Sequence, residues 1–252
     1  MSLNFEANGH SLAILKDGAK SKVVYVAEKK EDVYNKLDDI KATGNQSFQL
    51  IPNITKERNI VYIAGASGSG KSFFAKEYIS KYRELHPKRD IFVFSSLGED
   101  STLDKIKVLK RIKIDEALLD ADLSAKDFEN SLVIFDDSDC ITNKPLKLKV
   151  KAIMDNLLQT GRHFNVDLII TSHILCGGNE TKLVLNEAHS ITIFPQGLGG
   201  RSLKYLLDQY LGLDKHQIKR IKQLNSRAIT ICKTYPMCVV SEKEIYILNK
   251  KD

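Results

Sequence analysis

Gly65-Ala66-Ser67-Gly68-Ser69-Gly70-Lys71-Ser72 fills every fixed position of the pattern G-x-x-x-x-G-K-[ST], and the apolar run Ile60, Val61, Tyr62, Ile63 leads into it. A buried strand that breaks into a glycine-rich turn and resumes as a helix is a cradle for phosphate. Glycines 65, 68 and 70 are expected to take positive φ and to aim successive backbone N–H groups at phosphate oxygens, with a helix over 73–82 behind them. Gly65, Ala66, Ser67, Gly68, Ser69, Gly70, Lys71, Ser72 and Phe73 are therefore the nucleotide-binding candidates. Lys71 reaches the β- and γ-phosphates of ATP, and Ser72 ligates Mg²⁺. A Gly/Ser-rich turn without a ligand is the bland alternative, and it leaves the order strand, loop, Lys-Ser, helix unexplained.

A second signal lies about 60 residues downstream. In Leu132-Val133-Ile134-Phe135-Asp136-Asp137, four apolar residues run directly into two carboxylates. Asp136 is the expected second Mg²⁺ ligand, and Asp137 the group that orients or deprotonates the attacking water. Many nucleotide hydrolases place Glu at the second position, so the shorter Asp137 needs a different water position or a bridging contact. The next apolar strand, 167–171, ends in Ser172 and His173. If that strand lies between the other two, Ser172 and His173 approach the γ-phosphate as sensors; otherwise they are a cap and a surface imidazole. Upstream, Thr160-Gly161-Arg162-His163 closes a helix over 146–159, with Gly161 its expected C-cap. Arg162 either complements the helix dipole or serves as an arginine finger on a neighbouring subunit's ATP.

Apolar, β-branched runs at 60–64, 91–94, 132–135, 168–171 and 191–194, with helical stretches between them, predict an α/β fold. It is a mainly parallel central sheet flanked by helices, a P-loop NTPase of the additional-strand type. Residues 1–55 read as a small N-terminal extension of unknown role, with a strand at 22–27, a helix at 31–40 and a strand at 48–51. Residues 56–252 read as the ATPase core, with a tail of two short helices and strands at 228–233 and 244–248. Among 252 residues, 38 basic and 32 acidic side chains give a net charge of +6, which an ordinary solvated surface explains nearly as well as an acidic partner. Cys140, Cys176, Cys232 and Cys238 match neither a zinc pattern nor a disulfide framework, so free thiols and a reducing compartment are expected. No apolar run approaches the ~18 residues of a membrane span, and the start lacks a secretory pattern, so a soluble, non-secreted, cytoplasmic protein is expected.

The two nucleotide motifs, the Gly161-Arg162-His163 turn, Thr171-Ser172-His173, and a tail carrying Arg201-Ser202-Leu203, Tyr210-Leu211-Gly212-Leu213 and Ser226-Arg227 together resemble one family. It is the genome-packaging ATPases of large DNA viruses and virophages, the poxvirus-like branch of the FtsK/HerA superfamily. The resemblance covers roughly 59–248 and does not extend to 1–55. It implies Mg²⁺-dependent ATP hydrolysis in a homo-oligomeric ring of five or six subunits, translocating double-stranded DNA without sequence preference into a preformed capsid, with portal or vertex proteins as partners and no membrane. His173 stands where relatives often carry Gln or Asn. The finger falls to Arg162, Arg201 or Arg227. Three basic groups are open as DNA contacts or as solvated helical faces: Lys105, Lys107, Lys110, Arg111 and Lys113; Lys144, Lys147 and Lys151; and Lys215, His216, Lys219, Arg220 and Lys222. A helicase or conjugation-type pump shares the whole active site. A nucleotide kinase is a rival without the arginine-bearing lid it needs, and a nucleotide-gated switch is one that the twin aspartates oppose.

Overall fold

The computed structural model describes residues 1–29, 32–55, 58–96 and 102–248. The chain divides into two compact units, one of Met1–Lys56 with His189–Asp252 and one of Glu57–Ala188. The segment beyond 188, read from sequence as the tail of the core, thus groups with the first 56 residues.

The first unit opens with β1 (Ser2–Asn4), β2 (His10–Asp17), β3 (Lys20–Ala27), β4 (Asp39–Lys41) and β5 (Ser47–Leu50). β1, β3, β2 and β5 pair antiparallel in that order. The strands expected at 22–27 and 48–51 are β3 and β5, whereas β1 and β2 were not foreseen. The helix expected over 31–40 is absent: residue 31 lies outside the described residues, 32–38 are turn, bend and a single bridge, and 39–41 are β4. Side chains and distant backbone take the donors a helix would have used. The Glu6 carboxylate accepts from the Tyr34 and Asn35 N–H groups at 2.9 and 2.7 Å, and Leu37 exchanges backbone bonds with Leu3 at 2.7 and 3.3 Å.

The second unit contains β6 (Ile60–Ala64), α1 (Lys71–Leu85), β7 (Asp90–Ser95), β8 (Leu109–Lys113), α2 (Ala117–Asp120), β9 (Ser131–Asp136), α3 (Lys144–Thr160), β10 (Asp167–Ser172) and α4 (Asn179–Glu187). Its strands run parallel in the order β6, β10, β9, β7, β8. Every residue of β6, β9 and β10 is buried, which is why these segments read as unbroken apolar runs. β10 lies between the phosphate-loop strand and the aspartate strand, as the additional-strand reading requires. α3 buries Leu146, Val150, Ile153, Met154, Leu157 and Leu158, the stripe its periodicity marks out. Part of the first basic group sits on the edge strand β8 and not on a helix; Lys110 there pairs with Asp90 at 2.8 Å, and charge on an edge strand discourages further strand addition.

After α4 the chain supplies the rest of the first unit: β11 (Ser190–Ile193), α5 (Gly200–Lys204), a π-helical turn over Tyr205–Tyr210, α6 (Lys215–Gln223), β12 (Ile229–Cys232), β13 (Cys238–Ser241) and β14 (Glu244–Ile247). β11 to β14 form an antiparallel meander, and β4 pairs with β14. All four cysteines are free thiols. Among the described residues no helix is long and apolar enough to cross a membrane.

Gly161 is the C-cap of α3, but it caps without the left-handed backbone expected of a glycine there. Its φ of −58° is right-handed, so no left-handed turn ends α3 there. Instead a Cβ at this position would come within 3.1 Å of the Arg58 guanidinium. Arg58 is 7% exposed and donates to the carbonyls of Leu157, Leu158 and Val166, closing the last turn of α3 with a side chain from just before β6. Burial lowers its pKa to about 10, which leaves the group charged at neutral pH. Arg58→Leu removes these donors from the Leu158 and Val166 carbonyls and leaves the Leu157 carbonyl with the Gly161 N–H alone, so stability should fall by about 2–4 kcal/mol. A clear drop in the urea midpoint at unchanged slope is the expected reading.

Candidate active site

The loop leaves β6 with the Gly65 N–H bonded to the Ser172 carbonyl at 3.0 Å, which extends the β6–β10 pairing by one more bond. Gly65 therefore does not adopt the left-handed backbone expected of it. Gly68 and Gly70 do, at φ of 72° and 115°. Gly70 is the N-cap of α1, which begins at Lys71, two residues earlier than its apolar pattern indicated. The helix dipole and its first free N–H groups thus open directly beneath the loop. Ser72 stands in the first turn, and Phe73, also placed among the nucleotide contacts, is 62% exposed on the same turn.

Lys71 is 6% exposed. Its ammonium donates to the Gly65 carbonyl at 3.0 Å and lies 3.4 Å from Asp137 Oδ1. Phosphate loop and twin aspartates therefore belong to one site. Asp136, 6% exposed, is the last residue of β9, and Asp137 turns the chain sharply with φ 43° and ψ 42°. A left-handed conformation in a residue other than glycine costs about 1–2 kcal/mol, so something must hold it. That something is Thr171, at the end of β10. Its hydroxyl accepts from the Asp137 N–H at 2.8 Å and offers its proton to Asp136 Oδ1 at 2.9 Å and Asp137 Oδ1 at 3.1 Å. One hydroxyl sets the orientation of both carboxylates.

His173 completes the group, with Nε2 3.0 Å from Asp137 Oδ2 and 3.5 Å from the Lys71 ammonium. An ionised carboxylate only accepts, so Nε2 carries the proton in this contact. Ser172 plays another part. Its hydroxyl donates to Asp139 Oδ2 and Ile174 O, both at 3.0 Å, and accepts from the Ile174 N–H, while Asp139 Oδ2 also takes the His173 N–H at 2.9 Å. Ser172 and Asp139 therefore fix the turn that aims the imidazole.

Thr171 and Asp139 were not picked out from the sequence as site residues. Thr171 is one more polar residue in a strand, and Asp139 follows the twin aspartates without belonging to a motif. Arg162 is not brought to the site of its own chain. It lies in the turn before β10, at the opposite end of a strand that spans roughly 17 Å from Asp167 to Ser172. Arg201 and Arg227 belong to the other unit.

The donor set fits Mg²⁺. Ser72 and Asp136 offer hard oxygens, and among the described residues no three His, Cys, Asp or Glu side chains gather into a metal cage. Two protein ligands, with substrate phosphates and water completing an octahedron, are how Mg²⁺ is usually held.

No family profile matches the chain. The uncharacterized protein V3 of the Sputnik virophage is 38% identical over 243 residues, 95% of this chain and 96% of its own length. Among solved structures, the cytoplasmic domain of the type VII secretion ATPase EccC of Thermomonospora curvata superposes with a TM-score of 0.50 at 13% identity, covering 77% of this chain and 26% of its own. The genome packaging NTPase B204 of Sulfolobus turreted icosahedral virus 2, in complex with AMPPCP, gives a TM-score of 0.49 at 16% identity over 74% of this chain and 98% of its own. The fold is that of the P-loop NTPases.

Thr171→Val keeps the shape of the side chain and removes the hydroxyl. It takes the shared hydroxyl from both carboxylates and leaves the Asp137 N–H unpaired, although His173 still holds Asp137 Oδ2, so if the site hydrolyses nucleotide, turnover should fall about 10²-fold. Thr171→Ser should retain most of it; phosphate release by the two variants is the measurement.

Proposed function

We propose that this chain, which belongs to the family of the Sputnik virophage protein V3, hydrolyses ATP with Mg²⁺ to drive double-stranded DNA through a homo-oligomeric ring, packaging a viral genome into a preformed capsid at the site of assembly in the host cytoplasm. The observation that carries the hydrolytic part is the convergence of Lys71, Asp137, Thr171 and His173 through contacts of 3.5 Å or less at the end of a phosphate loop. The packaging part is supported by membership of a virophage family together with the motif resemblance in the turn at 161–163, the strand ending at 173 and the tail.

Each side chain has a task within this reading. The N–H groups of the loop and of the first turn of α1 cradle the phosphates, and Lys71 places its charge on the β- and γ-phosphates. Ser72 and Asp136 would hold Mg²⁺, which would supply neutralisation of the phosphate charge. Asp137 orients the attacking water and accepts its proton. His173, with Nε2–H on Asp137, restrains that carboxylate and reports on the terminal phosphate beside it.

Arg162 acts, if it is the finger, across a subunit boundary, because its own site lies at the far end of β10. Lys71→Ala should abolish nucleotide binding or turnover, and Asp137→Asn should keep ATP binding while lowering turnover by about 10² or more. Mixing Arg162→Ala with Lys71→Ala subunits should restore part of the activity, since each supplies what the other lacks. Phosphate release with and without duplex DNA tests the whole reading: DNA-stimulated hydrolysis supports the motor, and transfer of phosphate to a small acceptor instead of water overturns it.

A further inference from the structure

We infer that α6 is a surface on which the chain grips the phosphate backbone of DNA, an inference that rests on the DNA-translocation reading. At 100° per residue, Lys215, Lys219 and Lys222 fall within about 60° of one another on this helix, and all three are exposed. Among the described residues none of the three forms a side-chain hydrogen bond or ion pair. The stripe is about 10 Å long, the length over which one strand of B-DNA presents roughly three phosphates.

The opposite face fixes the helix. Gln217 Nε2 donates to the Leu248 carbonyl, Ile221 is buried, and the Arg220 guanidinium lies 3.6 Å above the Tyr246 ring while bonding Glu244 at 2.6 Å and Asp39 at 3.2 Å. A capping box of Asp214 and Gln217 secures the first turn. These anchors centre close to 180° from the lysines. A fixed helix therefore holds three uncompensated cations outward, while its arginine, the better residue for a bidentate contact, is spent on holding it in place.

The other two basic groups are arranged differently. On β8, Lys110 and Arg111 are paired with Asp90 and Asp104. On α3, Lys147 and Lys151 are paired with Glu180 and Asp155. Each of those groups is partly neutralised by its own neighbours, whereas on α6 only Arg220 is paired and, among the described residues, the three lysines of the stripe are not. Phosphate contacts of this kind carry no base information, which fits a substrate that must be moved whatever its sequence.

The test uses the full chain with all three lysines changed to Ala, and a second variant with all three changed to Arg. Duplex DNA binding is followed by fluorescence anisotropy across a salt series, and ATP turnover with and without DNA. For the Ala variant the slope of log K against log salt should shrink by about 2.7, or ~0.9 per lost phosphate contact, with binding weakened ~10²-fold at 0.1 M salt. DNA-stimulated turnover should fall with it, and DNA-independent turnover should not change. The Arg variant should bind as the unaltered protein does. If the unaltered chain binds and is stimulated while the Ala variant matches it in slope and affinity, the assignment to α6 is wrong and the translocation reading stands. If the unaltered chain neither binds duplex DNA nor responds to it, both fall; tighter binding of single-stranded RNA than of duplex DNA also overturns the DNA assignment.

Discussion

The placement of β10 between β6 and β9 is the constraint on which the site depends. Pairing with β6 on one side sets Ser172 level with Ala64, so the loop begins beside it; pairing with β9 on the other sets Ile170 level with Phe135, so Thr171 meets the aspartates. Neither the phosphate loop nor the aspartate pair holds the other directly in the sheet. The inserted strand does so, and its last polar residues become the bridge. Because β6, β9 and β10 are buried throughout, a one-residue slip would move apolar side chains off their packed faces, so the register that places Thr171 is secured by the whole core.

The other end of β10 is held by a polar network of a different kind. Asp167, 2% exposed, accepts from the Asn59 N–H, from the Tyr82 hydroxyl at 2.9 Å and from Arg89 at 2.9 Å. Burial raises the pKa of this carboxyl, and the hydrogen bonds and the Arg89 charge work against that rise. Tyr82 lies in the last turn of α1, so the same carboxylate ties the far end of the phosphate-loop helix to the start of the inserted strand. α1 is thus pinned at both ends: Lys71 against Gly65 and Asp137 at its start, Tyr82 against Asp167 at its end. A helix held in this way presents its N-terminal donors to a ligand with little freedom left to lose.

Local signals were legible wherever the pattern and the physics share one short stretch. The phosphate loop needs left-handed glycines and a following helix within eight residues, and Gly68, Gly70 and Lys71 state this openly. The aspartate strand and the apolar stripe of α3 are equally local. What was not legible depends on partners far along the chain. Thr171 matters because 34 residues separate it from the N–H it accepts, and Gly161 because Arg58, about 100 residues earlier, fills the space a side chain would need. The helix expected over 31–40 failed for the same reason: Glu6 and Leu3 claim its donors from the other end of the segment.

Two departures from the commonest pattern are better understood together than singly. Asp137 is shorter by one methylene than the Glu that many nucleotide hydrolases place there, and His173 is a rigid ring where the family resemblance leads one to expect the amide of Gln or Asn. A left-handed backbone at Asp137 redirects its Cα–Cβ bond, and Thr171 and His173 take its two oxygens separately, Oδ1 at 3.1 Å and Oδ2 at 3.0 Å. The imidazole supplies a single donor at fixed reach, with its orientation set through Asp139, whereas a flexible amide would have to be ordered first. Asp137 thus makes its bridging contacts to a hydroxyl and a ring. The strain at Asp137 is the counterpart of that division, since a carboxylate held from both sides needs its backbone turned toward both holders.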